Sequence, residues 1–197
     1  MSSVREIAPG FRRWTSWHEE WQEQVGSVAL DTHDGLVLID PLDVPAELGS
    51  PAHVLITVFW HARTASQLDA ARVWSSGANT RTLANRGVTL TDPVDGSAEL
   101  PGGIAAIPTA RRGEVVYWLP AQRAVVAGDV LLGAGAKPRR TDDALRLCPE
   151  RWLGKATHED LRASLRPLLE LPVQRVLPSH GEPVLRAGKR HLTELLS

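Results

Sequence analysis

The sequence predicts an α/β protein in which helices cover the outside of two mixed β-sheets. Short β-type runs recur along the chain, and some of them pair as hairpins around turn residues. Helical periodicity is confined to separate stretches, so helices and strands alternate only in places. No linker divides the 197 residues. We therefore expect one domain over residues 1–197.

Two hairpins are predicted from their turns. Residues 25–30 and 36–40 flank an Asp-Gly pair, which favours a tight turn between antiparallel strands. Residues 114–119 and 123–129 flank a Pro-Ala-Gln turn in the same way. Both hairpins are rich in β-branched residues, as half-buried strands require.

The other predicted elements follow from apolar runs and helical spacing. Residues 54–58 form a continuous apolar run, which is typical of a strand buried on both faces. Residues 64–74 and 159–171 carry apolar residues at helical spacing, and residues 183–196 contain a closing helix. Further strand candidates are residues 88–90, 104–107 and 173–177.

Composition excludes several classes of protein. Lys and Arg total 22 against 23 Asp and Glu, giving a net charge of −1, which argues against a nucleic-acid partner. No apolar run reaches the roughly 20 residues that cross a membrane, so no membrane partner is expected. The first residues lack the apolar core of a secretory signal, and we expect a cytoplasmic protein. The single cysteine, Cys148, excludes an internal disulfide and a cysteine-based zinc cluster.

Four short motifs stand at the ends of predicted strands. They are Leu38-Ile39-Asp40-Pro41, Leu55-Ile56-Thr57-Val58, Ala127-Gly128-Asp129 and Pro178-Ser179-His180-Gly181. Their order and spacing resemble the metallo-β-lactamase superfamily over roughly residues 25 to 185. The resemblance implies an αββα sandwich of two mixed sheets, with a zinc site at one edge between the sheets.

Most of the metal ligands that this resemblance implies are missing. The family has a Thr-His-x-His-x-Asp-His run after the strand that ends here at Thr57. Aligned on that threonine, the ligand positions hold residues that cannot bind zinc: Val58, Trp60, Ala62 and Arg63. In a later turn, Ala110 stands where the family has a histidine. Only Asp129, the metal-bridging carboxylate of the family, and His180 remain, so the dinuclear zinc site is not expected.

One smaller metal site can still be drawn. His61 falls between two family ligand positions. If it turns inward, His61, Asp129 and His180 form a set of two histidines and one carboxylate, which holds one zinc, iron or manganese ion with open positions. The alternatives are a capping or surface role for His61, and structural roles for Asp129 and His180. We favour the absence of any cofactor.

Arginines near the lost ligands suggest a different use of the same space. Arg63 replaces a neutral imidazole, and Arg111 and Arg112 follow Ala110. A buried Asp129 without a metal ion needs a compensating positive charge. We hypothesise that one arginine occupies the former metal space, within about 6 Å of that carboxylate. These arginines could also bind a small anionic molecule, unless they point to solvent.

Other candidate pocket residues are weaker. Trp60 could fill the former metal cavity, and Cys148 is a candidate ligand-binding thiol unless it is a small buried hydrophobe. Trp14, Trp17 and Trp21 would share one face of a helix, as core, lid, pocket wall or homodimer surface.

Three functions therefore remain open. The one we favour is a catalytically degenerate member of the fold, without the dinuclear zinc site, that binds a small anionic ligand. The second is a hydrolase with a single metal ion, on Asp129 and His180 with or without His61, acting on an ester, amide or thioester. The third is a metal-free hydrolase with His180 as base and arginines that stabilise an oxyanion.

Overall fold

The computed structural model describes residues 4–68, 71–94 and 98–197. The strands of this part of the chain are β1 (Arg5–Ala8), β2 (Phe11–His18), β3 (Glu23–Thr32), β4 (Gly35–Ile39), β5 (His53–Leu55), β6 (Arg72–Ser76), β7 (Asp92–Val94), β8 (Ala105–Pro108), β9 (Val115–Leu119), β10 (Ala124–Ala127), β11 (Leu131–Gly133), β12 (Leu145–Leu147) and β13 (Arg175–Pro178). The first sheet runs in chain order from β1 to β7, and the second in the order β13-β10-β9-β8. The β11 and β12 strands form a separate small ladder.

The two large sheets pack face to face around the central core. Along β4, Val37 and Ile39 belong to this core, whereas Leu38 between them packs on the outer side of the sheet. Along β9, Tyr117 faces the central core and Val116 faces outward. This alternation follows from the two-residue period of a strand. Because both faces of these strands are buried, their residues form continuous apolar runs in the sequence.

Helices cover the outer faces. The α-helices are α1 (Thr80–Ala84), α2 (His158–Leu165) and α3 (Gly188–Leu196). Leu161 of α2 and Leu192 of α3 belong to the cluster on the outer face of the second sheet. On the first sheet, Leu83 of α1 and residues of two 3₁₀ turns cover the outer face. The layers are thus helix, sheet, sheet, helix, and the predicted αββα class is confirmed.

Strand directions bring the ends of several strands to one edge of the sandwich. The β4 and β5 strands run parallel, as do β10 and β13. At this edge the amide of Gly26 donates to the carbonyl of Ser179 at 2.7 Å, and Val25 pairs with His180 across the two sheets. The four motifs identified in the sequence therefore meet at a single edge.

The predicted hairpins are observed as β3–β4 and β9–β10. The helix predicted over residues 64–74 is wrong: Ala65–Gln67 is a 3₁₀ turn, residues 69–70 lie outside the described residues, and β6 follows. Val73 and Trp74 pair with β5 instead, because a short apolar run with a β-branched residue and an aromatic fits a buried strand.

The tryptophans expected to share one face of a helix do not lie on a helix. Trp14 and Trp17 lie on β2, where a spacing of three puts them on opposite faces. Trp14 is buried and Trp17 is 44% exposed. Among the described residues, no helix combines the length and the apolar character that a membrane crossing needs.

Candidate metal centre

Two candidate ligands follow neighbouring parallel strands. Ala127 at the end of β10 pairs with Pro178 at the end of β13. Asp129 and His180 each stand two residues further along, so equal steps from one paired position place them side by side. Both are almost fully buried. The strand register therefore fixes this half of the site.

The third candidate comes from the other sheet. After β5, the chain forms the 3₁₀ turn Phe59–Ala62, in which the amide of His61 donates to the carbonyl of Val58 at 2.8 Å. Arg63 ends the turn in an unusual left-handed conformation, with φ of 42°. This turn points His61 inward, and its side chain is only 3% exposed.

The three side chains converge on one point. The Nε2 atoms of His61 and His180 each lie 3.2 Å from Oδ1 of Asp129, and the three donor atoms all lie within 4.8 Å of one another. Two ligands of a tetrahedral zinc ion, each about 2.0 Å from the metal, lie about 3.3 Å apart. Oδ1 of Asp129 is fully buried, and none of the described residues donates a well-aligned hydrogen bond to it. The lone pairs are thus arranged for a shared cation, and these residues fit one metal ion.

Carboxylates lie behind both histidines. Nδ1 of His61 lies 2.8 Å from Oδ2 of Asp40. Nδ1 of His180 lies 3.8 Å from Oε2 of Glu23. Asp40 is held in turn by Thr57, whose amide donates to Oδ1 at 2.8 Å and whose hydroxyl donates to Oδ2 at 2.6 Å. Carboxylates in this position fix the orientation of metal-binding imidazoles and raise their basicity.

The electrostatics of this cluster favour a positive charge. Burial and Arg63 oppose a charge on His61, but the carboxylates of Asp129 and Asp40 raise the pKa of its imidazole. Burial likewise opposes a charge on His180, and Asp129 and Glu23 raise its pKa. For Asp129, the two imidazoles overcome burial and hold the pKa well below its usual range.

The second oxygen of Asp129 has different partners. The indole Nε1 of Trp60 donates to Oδ2 at 2.7 Å. Nη1 of Arg111 lies 4.0 Å from the same oxygen, and its guanidinium stacks over the Trp60 ring at 4.1 Å. Of the three arginines in the sequence hypothesis, Arg111 therefore lies within the 6 Å limit. Nη1 of Arg111 also lies 3.4 Å from Oε2 of Glu114.

Sequence reasoning missed Glu114. Its side chain is fully buried, and Oε1 accepts hydrogen bonds from the amides of Asp129 at 2.7 Å and Val130 at 3.0 Å. Burial and the neighbouring Asp129 carboxylate raise the pKa of Glu114 to about 7. The only signal was a lone acidic residue before the apolar strand β9. Glu23 was missed for the same reason at the start of β3.

Arg63 lies between the two sheets rather than on Asp129. Its Nη1 donates to the carbonyl oxygens of Asp40 at 2.8 Å and Gly26 at 3.2 Å. Its Nη2 donates to Oγ of Ser179 at 2.6 Å. The hydrogen bonds of Arg63 therefore connect the two sheets at the edge where they meet.

Two predicted pocket residues need correction. Arg112 is exposed and does not line the pocket that contains His61, Asp129 and His180. Cys148 lies in the apolar core on the outer side of the second sheet, where burial raises the pKa of its thiol to about 12. A thiol buried in this way packs as a small hydrophobe and is not nucleophilic near neutral pH.

A pocket of about 380 Å³ opens onto the three candidate ligands. Trp21 and Trp152 form part of its wall, with ring centroids 5.4 Å apart, and Trp21 also packs against His180 at 5.2 Å. Trp60, Arg86 and Arg111 line it as well. A larger cavity, of about 810 Å³, lies where β5 and β6 begin, and its lining does not include the three ligands. We place the site in the smaller pocket because the donor atoms converge there.

The expectation from the sequence that the protein binds no cofactor is not supported by this geometry, because three side chains that could hold a metal ion lie together. His61, Asp129 and His180 come together as the alternative of a single-metal site requires. Trp60 and Arg111 lie beside them.

Comparisons with known proteins point to one architecture. No family model and no curated protein matches the sequence. The structure of the DIM-1 metallo-β-lactamase is 15% identical with a TM-score of 0.71, covering 99% of this chain and 96% of that one. The FIM-1 metallo-β-lactamase from Pseudomonas aeruginosa, in a mono-zinc form, is 15% identical with a TM-score of 0.67, covering 99% and 94%.

A third match is TTHA1623 in a di-iron-bound form. It is 24% identical with a TM-score of 0.60, covering 87% of this chain and 93% of that one. These structures cover between 87% and 99% of this chain, and two of the three are metallo-β-lactamases. The protein therefore has the metallo-β-lactamase fold.

Proposed function

We propose that the protein is a hydrolase that works with one metal ion, held by His61, Asp129 and His180. The observation that carries this proposal is the pair of 3.2 Å separations between Oδ1 of Asp129 and the two Nε2 atoms. A simple ion pair would direct N–H groups at that oxygen, but no well-aligned hydrogen bond reaches it from the part of the chain that the structure describes. Mono-zinc and di-iron forms among proteins of similar structure support a metal here.

The chain's own groups prepare the ligands. In the neutral form of His61, which binds metal ions, Asp40 accepts the proton of Nδ1 and Nε2 is left with a free lone pair. Glu23 favours the same tautomer of His180 across 3.8 Å. A zinc, iron or manganese ion in such a site supplies a Lewis acid and lowers the pKa of a water molecule. Trp21 and Trp152 line the pocket beside these residues, and the ring of Trp21 packs on His180.

The pocket suggests the kind of substrate. Arg86 and Arg111 provide positive charge, and Trp21, Trp60 and Trp152 provide aromatic surface. Such a lining suits a molecule with a carboxylate or phosphate beside an apolar part. We expect an ester, amide or thioester with this character.

The second candidate is a binding protein without catalysis. It is favoured by Arg111, whose guanidinium sits near Asp129 as a fixed positive charge. The same pocket would then hold a small anionic ligand and no turnover would follow. Metal dependence separates the two functions.

The test is hydrolysis of a panel of carboxylated aryl esters, thioesters and lactams. The hydrolase predicts turnover that is lost after chelation, returns with zinc, iron or manganese, and is absent from His61→Ala. The matched control is His33→Ala, because His33 is exposed and outside the pocket. Turnover that survives chelation, or that survives His61→Ala, would contradict the proposal. Saturable binding of an anion without turnover would favour the second candidate.

A further inference from the structure

The positions around Oδ2 of Asp129 hold a positive charge that belongs to the chain itself. Nη1 of Arg111 lies 4.0 Å from that oxygen and 3.4 Å from Oε2 of Glu114. Both carboxylates are buried, and the Arg111 side chain is 16% exposed. Two buried carboxylates need a compensating positive charge. Arg111 supplies that charge where a metal ion could otherwise supply it.

Trp60 completes this arrangement. Its indole N–H donates to Oδ2 of Asp129 at 2.7 Å, and its ring lies 4.1 Å from the Arg111 guanidinium. The indole therefore satisfies the oxygen and also holds the guanidinium in place through a cation–π contact. Indole nitrogen donates and cannot bind a metal ion. Oδ2 is thus occupied by the indole N–H and faces the guanidinium, whereas Oδ1 faces the two imidazoles.

From this division of one carboxylate we propose that Trp60 and Arg111 take the place of a second metal ion. The inference rests on the proposed metal site and adds that these two residues limit it to one ion per chain. They act as positioning residues for Asp129, since the hydrogen bond from Trp60 fixes which oxygen turns toward His61 and His180. Arg111 supplies, near Oδ2 of Asp129, the positive charge that a second ion would bring.

The test counts metal ions rather than turnover. Cobalt(II) is titrated into metal-free protein, and bound cobalt is measured by elemental analysis and by visible absorption. Wild type is expected to saturate at one equivalent. The double variant Trp60→His/Arg111→Ala removes the indole and the guanidinium, supplies an imidazole, and frees Oε2 of Glu114, so a second equivalent is expected. The double variant Trp17→His/Arg112→Ala makes matched changes at exposed positions and should stay at one.

A second variant covers the case in which the double variant does not fold. Trp60→Phe keeps an aromatic face for Arg111 but removes the N–H from Asp129, and we expect cobalt to bind about tenfold more weakly. Circular dichroism checks the fold of each variant. Two equivalents in wild type, one in a folded double variant, or unchanged affinity in Trp60→Phe would each overturn the inference. No cobalt in wild type would overturn the proposed function as well.

Discussion

Replacing Asp40 by asparagine tests how the site prepares its first histidine. In the structure Oδ2 of Asp40 lies 2.8 Å from Nδ1 of His61 and also accepts from the Thr57 hydroxyl at 2.6 Å. Oδ1 accepts from the Thr57 amide at 2.8 Å. In Asp40→Asn the oxygen stays with the amide donor, and the new NH₂ group faces Nδ1. Because an NH₂ group cannot accept a hydrogen bond, His61 would move its proton to Nε2, the atom that faces Asp129.

The magnitude follows from this loss of one prepared ligand. Removing the partner behind a metal-binding histidine weakens metal affinity by about tenfold to a hundredfold, or about 1.4 to 2.7 kcal/mol. We expect a loss within this range, since Asp40 is buried and the Thr57 hydroxyl, 3.1 Å from Nδ1, is a weaker acceptor than the lost carboxylate. Zinc affinity is measured by competition with a chromophoric chelator, with circular dichroism to check the fold.

A matched control is Asp31→Asn, which removes a carboxylate paired with Arg12 at the surface of the same sheet. Its zinc affinity should equal that of wild type. A folded Asp40→Asn protein with a zinc Kd within threefold of wild type would refute the reasoning, because the carboxylate would then not determine which nitrogen of His61 carries the proton.

Three further predictions concern packing, thiol chemistry and metal removal. An added Cβ at Gly133 would overlap the carbonyl oxygen of Glu182, so Gly133→Ala should lower the free energy of unfolding by about 1 to 3 kcal/mol in urea titrations. The control Gly77→Ala, where the nearest atom to the added Cβ is 3.6 Å away, should change it little. Equal effects of the two substitutions would contradict this prediction. Cys148 should react with a thiol reagent only after unfolding, because its pKa is raised to about 12, and fast labelling of native protein would show that it is accessible. Zinc at 100 times its Kd should stabilise the fold by about 2.7 kcal/mol, so a chelator should lower the melting temperature of zinc-loaded protein, and an unchanged melting temperature would argue against a folded-state metal site.

Much of the fold follows from local sequence. The Asp-Gly turn and the flanking β-branched runs predicted the first hairpin, because turn geometry and side-chain alternation are encoded over a few residues. The segment that contains Val73 and Trp74 was misassigned to a helix, since a short apolar run fits either structure until its neighbour is known. Here the neighbour is β5, which pairs with that segment through contacts distant in sequence.

The site was partly predictable for the same reason. Asp129 and His180 end predicted strands, so the motif at each strand end located them. His61 required knowledge of the 3₁₀ turn that directs it inward, which alignment on Thr57 did not supply. Glu23 and Glu114 act through partners distant in sequence: Glu23 through His180, and Glu114 through the amides of Asp129 and Val130. No local pattern marks a residue whose role depends on such a contact.

The metal content of the protein tests the central claim most directly. Protein purified without a chelator or a histidine tag is analysed by elemental mass spectrometry, beside Asp129→Ala and the surface variant Asp31→Asn. The account predicts about one equivalent of zinc, iron or manganese in wild type and in Asp31→Asn, and none in a folded Asp129→Ala protein. Wild-type protein that stays free of metal even after incubation with each of these ions would contradict it.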